Sequence, residues 1–442
     1  MSIRWLTRMA WLGFAALFSM SSDAIASGVR IVDASGQRNF ADIQSAIDAA
    51  VDGDVLLVGA GVYPGFTVDG KSLSIIGVPA GVQAVEVGNV VVRNLDGKSA
   101  VICGFSAAVL TVQHCSGYVA IQSSSFVGPV SSFQDPSHTI DTSRGVVLSD
   151  CAFVGGSGST CIGCPEGVPG RVGMTVSSSA MAAYDCTFQG GKGGYTAHDT
   201  GNGGDGLIVT AASWCFAAGC SITGGDSGNG PGCLGGEGAW CGFAGDGLRV
   251  ESASEFVELS NHYSGGHAGS NCCNPGDGAP IDCFATCDTL SGRSRSFTTP
   301  FLSVDRAPWS ISIAGTPGDQ VFLNRSVVPV FQYDAASLGV CTSQLPPFAQ
   351  VAPLGVVPGS GTLTVATRQR LLPSDVIARM NYLQGYVVTS QGATVLASPM
   401  HVLTLNWDSL PDCNGNGIND YAEVIAHVTP DADNNLIPDD CP

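Results

Sequence analysis

Residues 204–225 read GDGLIVTAASWCFAAGCSITGG, and residues 245–266 read GDGLRVESASEFVELSNHYSGG. The two stretches superimpose at a constant offset of 41: Asp205 falls on Asp246, Leu207 on Leu248, Val209 on Val250 and Gly225 on Gly266. Looser copies stand at 172–191 (VGMTVSSSAMAAYDCTFQGG) and 145–156 (GVVLSDCAFVGG), with an earlier form lacking cysteine at 121–128 (IQSSSFVG). A chain that repeats itself in this way is confined to architectures in which like units stack. Apolar residues alternate with period two, so each copy reads as a pair of short strands with one face inward. Each Gly-Gly marks a turn that needs positive φ or close backbone approach. One such unit cannot bury its face alone. Stacking in register lets like residues cover like residues, and parallel strands then need the rest of the coil as their connection. The prediction is a mainly β chain built on a right-handed parallel β-helix.

The residues before the repeats supply an end for such a solenoid. FADIQSAIDAA (40–50) is an amphipathic helix with Phe40, Ile43 and Ile47 on one face, a natural cap. It runs into GDVLLVGAGVYPGFTVDGKSLSIIG (53–77), where apolar residues and turn residues alternate at short intervals. This order of helix, strands and turns resembles the opening of the pectin-lyase-like right-handed β-helix proteins, over about residues 30–300. The resemblance implies the fold. It leaves the function open among lyases, hydrolases, esterases and noncatalytic surface proteins.

Residues 1–26 read as an export signal. Arg4 and Arg8 precede a short apolar run from Met9 to Met20, and Ala24-Ile25-Ala26 forms a cleavage site. That run is too short to span a bilayer, and no later segment is long and apolar enough, so no transmembrane helix is expected after signal removal. The 17 cysteines all lie beyond the cleavage site, where oxidation is available, and their odd number leaves at least one unpaired within the chain. Cys161/Cys164, Cys233/Cys241 and Cys283/Cys287 sit in Gly-rich stretches as expected of loop staples, whereas Cys272-Cys273 has no assignment. Cys151, Cys186 and Cys220 recur at one rung position, which predicts a ladder of small buried side chains. Stretches 155–171, 190–204, 224–246 and 265–288 interrupt the rungs and are predicted to be loops inserted on one side of the solenoid.

With 18 Lys plus Arg against 37 Asp plus Glu, the chain carries a formal charge of -19, which excludes a phosphate-tracking nucleic-acid binder. Catalytic signals are sparse. Asp205 and Asp246 repeat at one position, with His198, Asp199, Asp226, His262 and His267 in or near the intervening loops. Paired carboxylates serve as acid and base or nucleophile in glycoside hydrolysis. Asp in Gly-Asp-Gly is also a common turn residue that bonds nearby backbone. The nearest fragment to the Gly-His-Gly of polygalacturonase-like hydrolases is Gly266-His267-Ala268. Lys71, Lys98 and Lys192 are the only lysines, none beside an acidic cluster in sequence, and Arg249 is the best basic candidate for a lyase.

After about residue 298 the Gly-Gly pairs stop and alternating runs such as Trp309–Ile313, Gln320–Leu323 and Thr362–Val365 predict an antiparallel β-sandwich over 299–408, with a short helical turn at Ser374–Met380. The tail, 409–442, is read as a calcium-binding loop pair. In DCNGNGINDYAE, Asp412, Asn414, Asn416, the Ile418 carbonyl, Asp420 and Glu423 occupy positions 1, 3, 5, 7, 9 and 12 of a twelve-residue loop, with Gly417 at position 6. Asn419 stands at position 8, where an apolar residue is usual. A second copy places Asp431, Asp433, Asn435, Ile437 and Asp439 at positions 1, 3, 5, 7 and 9, with Leu436 in the glycine slot and Pro442 at position 12. Cys413 and Cys441 are placed to staple the two loops. The tail resembles dockerin-type and thrombospondin-type-3 calcium repeats, which implies calcium as the bound ion. The functional expectation is an exported, secreted or cell-surface noncatalytic protein. Its stapled loops would meet a polysaccharide or a cell-surface protein. The alternative is a carbohydrate-active enzyme, either a polysaccharide lyase or a glycoside hydrolase, acting near Asp205 and Asp246.

Overall fold

A computed structural model describes residues 28–441 apart from 37–39, 79–83, 131–136, 161–166, 197–198, 230–241, 270–275, 345–349, 369–370, 410, 426–427 and 434. The expected leader, His198 and the cysteines Cys161, Cys164, Cys233, Cys241, Cys272 and Cys273 lie outside the described residues.

The repeat is one coil of a parallel β-helix. Leu207–Thr210, Trp214–Ala218 and Ser221–Thr223 make one turn, and Leu248–Val250, Glu255–Leu259 and His262–Ser264 make the next. They pair in parallel with Leu207 on Leu248, Cys215 on Phe256 and Ile222 on Tyr263, so the offset of 41 is the strand register itself. Each coil thus holds three strands, not the pair read from the alternation. The extra corner is two residues, Gly219 at φ 67° and Cys220, too brief to break the apolar pattern. The coils stack into three parallel sheets. Sheet 1 has ten strands from Val29–Val32 to Thr286–Thr289. Sheet 2 has eight, from Gly61–Tyr63 to His262–Ser264, and sheet 3 has eight, from Phe66–Asp69 to Ile281–Cys283.

Like covers like inside the coils. Phe126, Phe153 and Phe188 stack with centroids 5.2 and 5.4 Å apart and planes within 10°. Val68, Val92, Val112, Ile140, Val176, Val209 and Val250 form an unbroken buried column on sheet 3. Cys151, Cys186 and Cys220 are buried free thiols in this core, as the ladder reading requires. The first coil is covered by the helix Ile43–Ala49, capped by Asp42 and burying Ile43, Ala46 and Ile47. At the far end Cys283 and Cys287 are disulfide-bonded, and Ile281 and Phe284 are exposed.

The second half is a sandwich. Ser296–Thr298, Pro308–Ala314 and Thr362–Arg368 form one antiparallel sheet. Leu302–Val304, Thr394–Leu405, Ala378–Val388, Gln320–Ser326 and Gln350–Val356 form the other, in which the first pair alone is parallel. Phe297, Trp309, Ile311, Ile313, Leu383, Val387 and Val402 fill the space between them. The expected helical turn at Ser374–Met380 is absent. Met380 belongs to an 11-residue strand and pairs with Leu403, long-range pairing that overrides a weak local signal. The sandwich lies alongside the solenoid, against the outer face of sheet 1. His401 Nε2 is 2.8 Å from Tyr118 Oη, and its Nδ1 is 3.0 Å from Gln122 Oε1. Tyr184 Oη accepts from the Val340 N–H at 2.9 Å and donates to the Val340 carbonyl at 3.0 Å. Sheet 1 is therefore covered on both faces. This explains why Val55–Gly59 and Tyr118–Gln122 are buried throughout and read as continuous apolar runs. No helix among the described residues is long and apolar enough to cross a membrane.

Candidate functional site

The inserted stretches leave the solenoid between a sheet 2 strand and the next sheet 3 strand, so they gather along one edge. The last ends before Ile281, because Ile281–Cys283 and Thr286–Thr289, which overlap the expected loop 265–288, are rung strands. The inserted stretches are not loops in the ordinary sense. Each runs out and back as two extended arms that bond to neighbouring arms mainly through backbone. Gly191 and Gly194 donate to the Arg171 and Val168 carbonyls at 2.7 and 2.8 Å, and Gly190 and Gly193 donate to Thr223 and Asp226 at 2.9 and 2.8 Å. Gly204 and Gly201 donate back to Gly191 and Gly194, and Gly225 and Gly228 to Gly204 and Gly201. Residues three apart face the same neighbour, the spacing of an extended helix with three residues per turn and no internal hydrogen bonds. A Cβ added at Gly190 would lie 1.8 Å from the Gly204 carbonyl oxygen, at Gly203 1.9 Å from that of Gly225, and at Gly224 1.9 Å from that of Gly245. Backbone is packed on backbone, which is why these positions hold glycine. Lys192, Asp226 and His267 take equivalent outward places on successive outgoing arms.

The paired aspartates belong to this lattice. Asp205 and Asp246 do share one face, as their repeat position requires. Asp205 Oδ1 accepts from the Asp246 N–H and Asp246 Oδ1 from the Ala279 N–H, each at 2.8 Å. Arg249 spans their other oxygens, 3.2 Å from Asp205 Oδ2 and 2.9 Å from Asp246 Oδ2. Burial pushes the Asp205 carboxyl up, against the opposing pull of the Asp246 N–H and Arg249. Both carboxylates are thus engaged as structural acceptors. Asn202, Asp226 and Asp277 do the same for the N–H groups of Phe243, His267 and Ala268, each at 2.8 Å. Among the described residues, no hydrogen bond or ion pair joins His262 or His267 to Asp205 or Asp246.

A different acid pair escaped the sequence reading. Asp150 and Asp185 occupy one corner column between sheets 1 and 2, at φ 54° and 52°, and line a trough of about 460 Å³ with Ser106, Ser124 and Phe301. Asp150 Oδ2 accepts from Ser123 Oγ at 3.0 Å. Burial, reinforced by the Asp150 charge, pushes the Asp185 carboxyl up. The signal for this pair was the rung alignment, in which Asp150 and Asp185 each precede a ladder cysteine.

The tail forms two loops of one design. In the first, Asp412 accepts from the N–H groups of Asn416 and Gly417 at 3.0 and 2.9 Å, and Asn416 Oδ1 from Ile418 at 2.9 Å. In the second, Asp431 accepts from Asn435 and Leu436 at 3.0 Å each, and Asn435 Oδ1 from Ile437 at 2.8 Å. Asp420 and Asp439 each accept the N–H of the second loop residue at 3.0 Å. Gly417 has φ 85° and Leu436 φ 63°, so leucine holds the left-handed turn that glycine holds in the first copy. Its side chain accounts for the exchange. Leu436 is buried in a cluster with Ile31, Val55 and Leu57 and docks the tail on the solenoid. Asn419 is likewise explained, since it caps the short helix Asp420–Ile425 by accepting from Ala422 N–H and donates to Ser409 Oγ, both at 3.0 Å.

The carboxylate oxygens of Asp431, Asp433 and Asp439 lie within 4.8 Å of one another, and burial foremost pushes the Asp431 carboxyl up. Glu423 is fully buried, met by the side-chain amides of Asn416 at 2.6 Å and Asn414 at 3.4 Å. This chemistry of oxygen donors, with no Lys or Arg in 409–442, suits a hard cation. Cys413 and Cys441 also approach Asp420, but they are disulfide-bonded to each other and offer no thiolate.

No family model matches the chain, and no curated protein matches it. Among solved structures it is similar to the enzymatically active domain of tailspike protein 4 from bacteriophage CBA120, at 11% identity and a TM-score of 0.21. The match covers 79% of this chain and 64% of the tailspike domain, so the chain spans less than two thirds of that domain's length.

Proposed function

We propose that this protein is an exported, noncatalytic scaffold that presents its arm-borne segments to a polysaccharide or a cell-surface protein. The observation that carries this reading is the double engagement of Asp205 and Asp246 by backbone N–H groups and Arg249, which leaves neither carboxylate free for proton transfer. The lattice around them supports arms rather than a cleft. Asp412, Asn414, Asn416, Ile418, Asp420 and Glu423 would hold one calcium ion, and Asp431, Asp433, Asn435, Ile437 and Asp439 a second. Calcium would supply charge neutralisation and stiffening, not chemistry. Incubating the protein with acidic and neutral polysaccharides tests the reading. Retention without new reducing ends or unsaturated products is expected, and products that vanish with Asp205→Asn would sink it.

A glycoside hydrolase is the second reading, favoured by the raised carboxyl of Asp185 beside Asp150 in a hydroxyl-lined trough. Hydrolysis lost in Asp185→Asn and retained in Asp205→Asn would select it.

A further inference from the structure

A second cavity, of about 520 Å³, opens where segment 327–331, which enters a separate two-stranded sheet of Pro329–Asp334 and Gly339–Ser343, overhangs the corners between sheets 3 and 1. Its makeup runs against that of the whole chain. Acids outnumber bases by 37 to 18, yet the lining holds Lys98 and Arg144 and no carboxylate. Lys98 is committed elsewhere, with its Nζ 2.8 Å from Asp52 Oδ2 and 2.6 Å from the Gly70 carbonyl. The Arg144 guanidinium is exposed and makes no ion pair among the described residues. The backbone aims it. The register slips between Arg144 and Val146 where this strand meets its neighbour, and Gly145 takes φ 78° where an added Cβ would lie 3.2 Å from the Gly117 carbonyl oxygen and 3.5 Å from Phe331 Cβ. A bulge of this kind re-aims a side chain beside a site. The opposite wall is apolar, with Val328 and Phe331 from that overhanging segment and Tyr118 beneath.

From this juxtaposition we infer that the cleft binds a small aromatic monocarboxylate. One free guanidinium matches one carboxylate through paired hydrogen bonds. A phosphate or sulfate carries more charge and acceptors than a single guanidinium meets. The aromatic and branched walls suit a flat apolar body over a fully hydroxylated one. The volume falls within the roughly 300–1,000 Å³ range of small-molecule sites.

The test uses the full chain with 2-naphthoate and its uncharged isostere 2-naphthamide, followed by fluorescence and calorimetry. The acid is expected to bind about 10-fold tighter than the amide, a difference of about 1.4 kcal/mol. Arg144→Gln should bring the acid down to the level of the amide, Arg144→Lys should keep part of the preference, and Phe331→Ala should weaken both ligands. Arg144 is exposed, so its variants should keep the fold, checked by an unchanged melting temperature. Equal affinities in the unaltered protein, no saturable binding of the acid at millimolar concentration, or a preference that survives Arg144→Gln would each overturn the assignment.

Discussion

The solenoid is covered along two of its edges, and the two coverings use opposite physics. Against sheet 1 the sandwich and its neighbouring two-stranded sheet bury side chains: Phe216 and Tyr184 pack with Val340 and Val395, and Trp214 meets Tyr333 at 5.1 Å. Along the arm edge backbone is packed on backbone, and hydrogen bonds from glycine N–H groups to neighbouring carbonyls, with Asx oxygens beside them, do most of the holding. The first covering is stabilised by apolar area removed from water, at about 25 cal/mol per Å². The second depends on each N–H finding a carbonyl or an Asx oxygen, because an unpaired one costs about 1–3 kcal/mol. Side-chain packing relaxes around a change, but a backbone lattice has nothing flexible to yield.

That contrast sets the order of expected effects. Phe216→Ala should be the most damaging, costing about 3–5 kcal/mol in chemical denaturation and loosening the whole contact between the halves. Gly224→Ala should cost about 1–3 kcal/mol. Its signature should be local: hydrogen exchange rises across 190–204, 224–229 and 242–246 while sheet 1 stays protected. If the two substitutions open the same residues, the two edges are one cooperative unit and the comparison fails.

Acid should separate the edges next. Burial holds the His401 imidazole down to about 3, so it stays neutral in the folded chain, whereas an unfolded histidine takes a proton near its ordinary value. Its folded value is depressed, so stability is full above that ordinary value and falls as pH drops toward 3. At about pH 5 the loss should reach about 2 kcal/mol relative to neutrality. His401→Gln should flatten that slope in denaturation measured across pH. The raised Asp205 carboxyl has the opposite sign, its contribution being present in acid and lost as pH rises, so the arm edge should not share the loss. The smallest effect is expected from Asp205→Asn. It keeps an oxygen for the Asp246 N–H and gives up the pair with half-exposed Arg249, a change within about 1 kcal/mol by thermal melting.

Legibility followed distance along the chain. The offset of 41 carried the register of two successive coils, and the looser copies carried the thiol ladder, because each coil repeats what it must cover. The tail loops were legible because their bonding partners lie within a few residues. The bed of the sandwich was not: Tyr118 and His401 are 283 residues apart, and no local pattern announces such a pair. The glycines were read as turns because Gly-Gly often is one. What marks them as arms is spacing by three within each arm, as in Gly191 and Gly194 going out and Gly201 and Gly204 coming back. Arg144 was invisible for a similar reason, since its setting depends on a bulge and on a segment from the other half of the chain.

The arms divide their own sequence into two alphabets. Packed glycine places such as Gly190, Gly203 and Gly224 leave no room for a side chain without a shift of backbone, while the outward places held by Lys192, Asp226 and His267 touch nothing that the lattice needs from their side chains beyond the one N–H that Asp226 meets. Such an edge can be rewritten, row by row, from basic to acidic to aromatic, without disturbing the frame that carries the text.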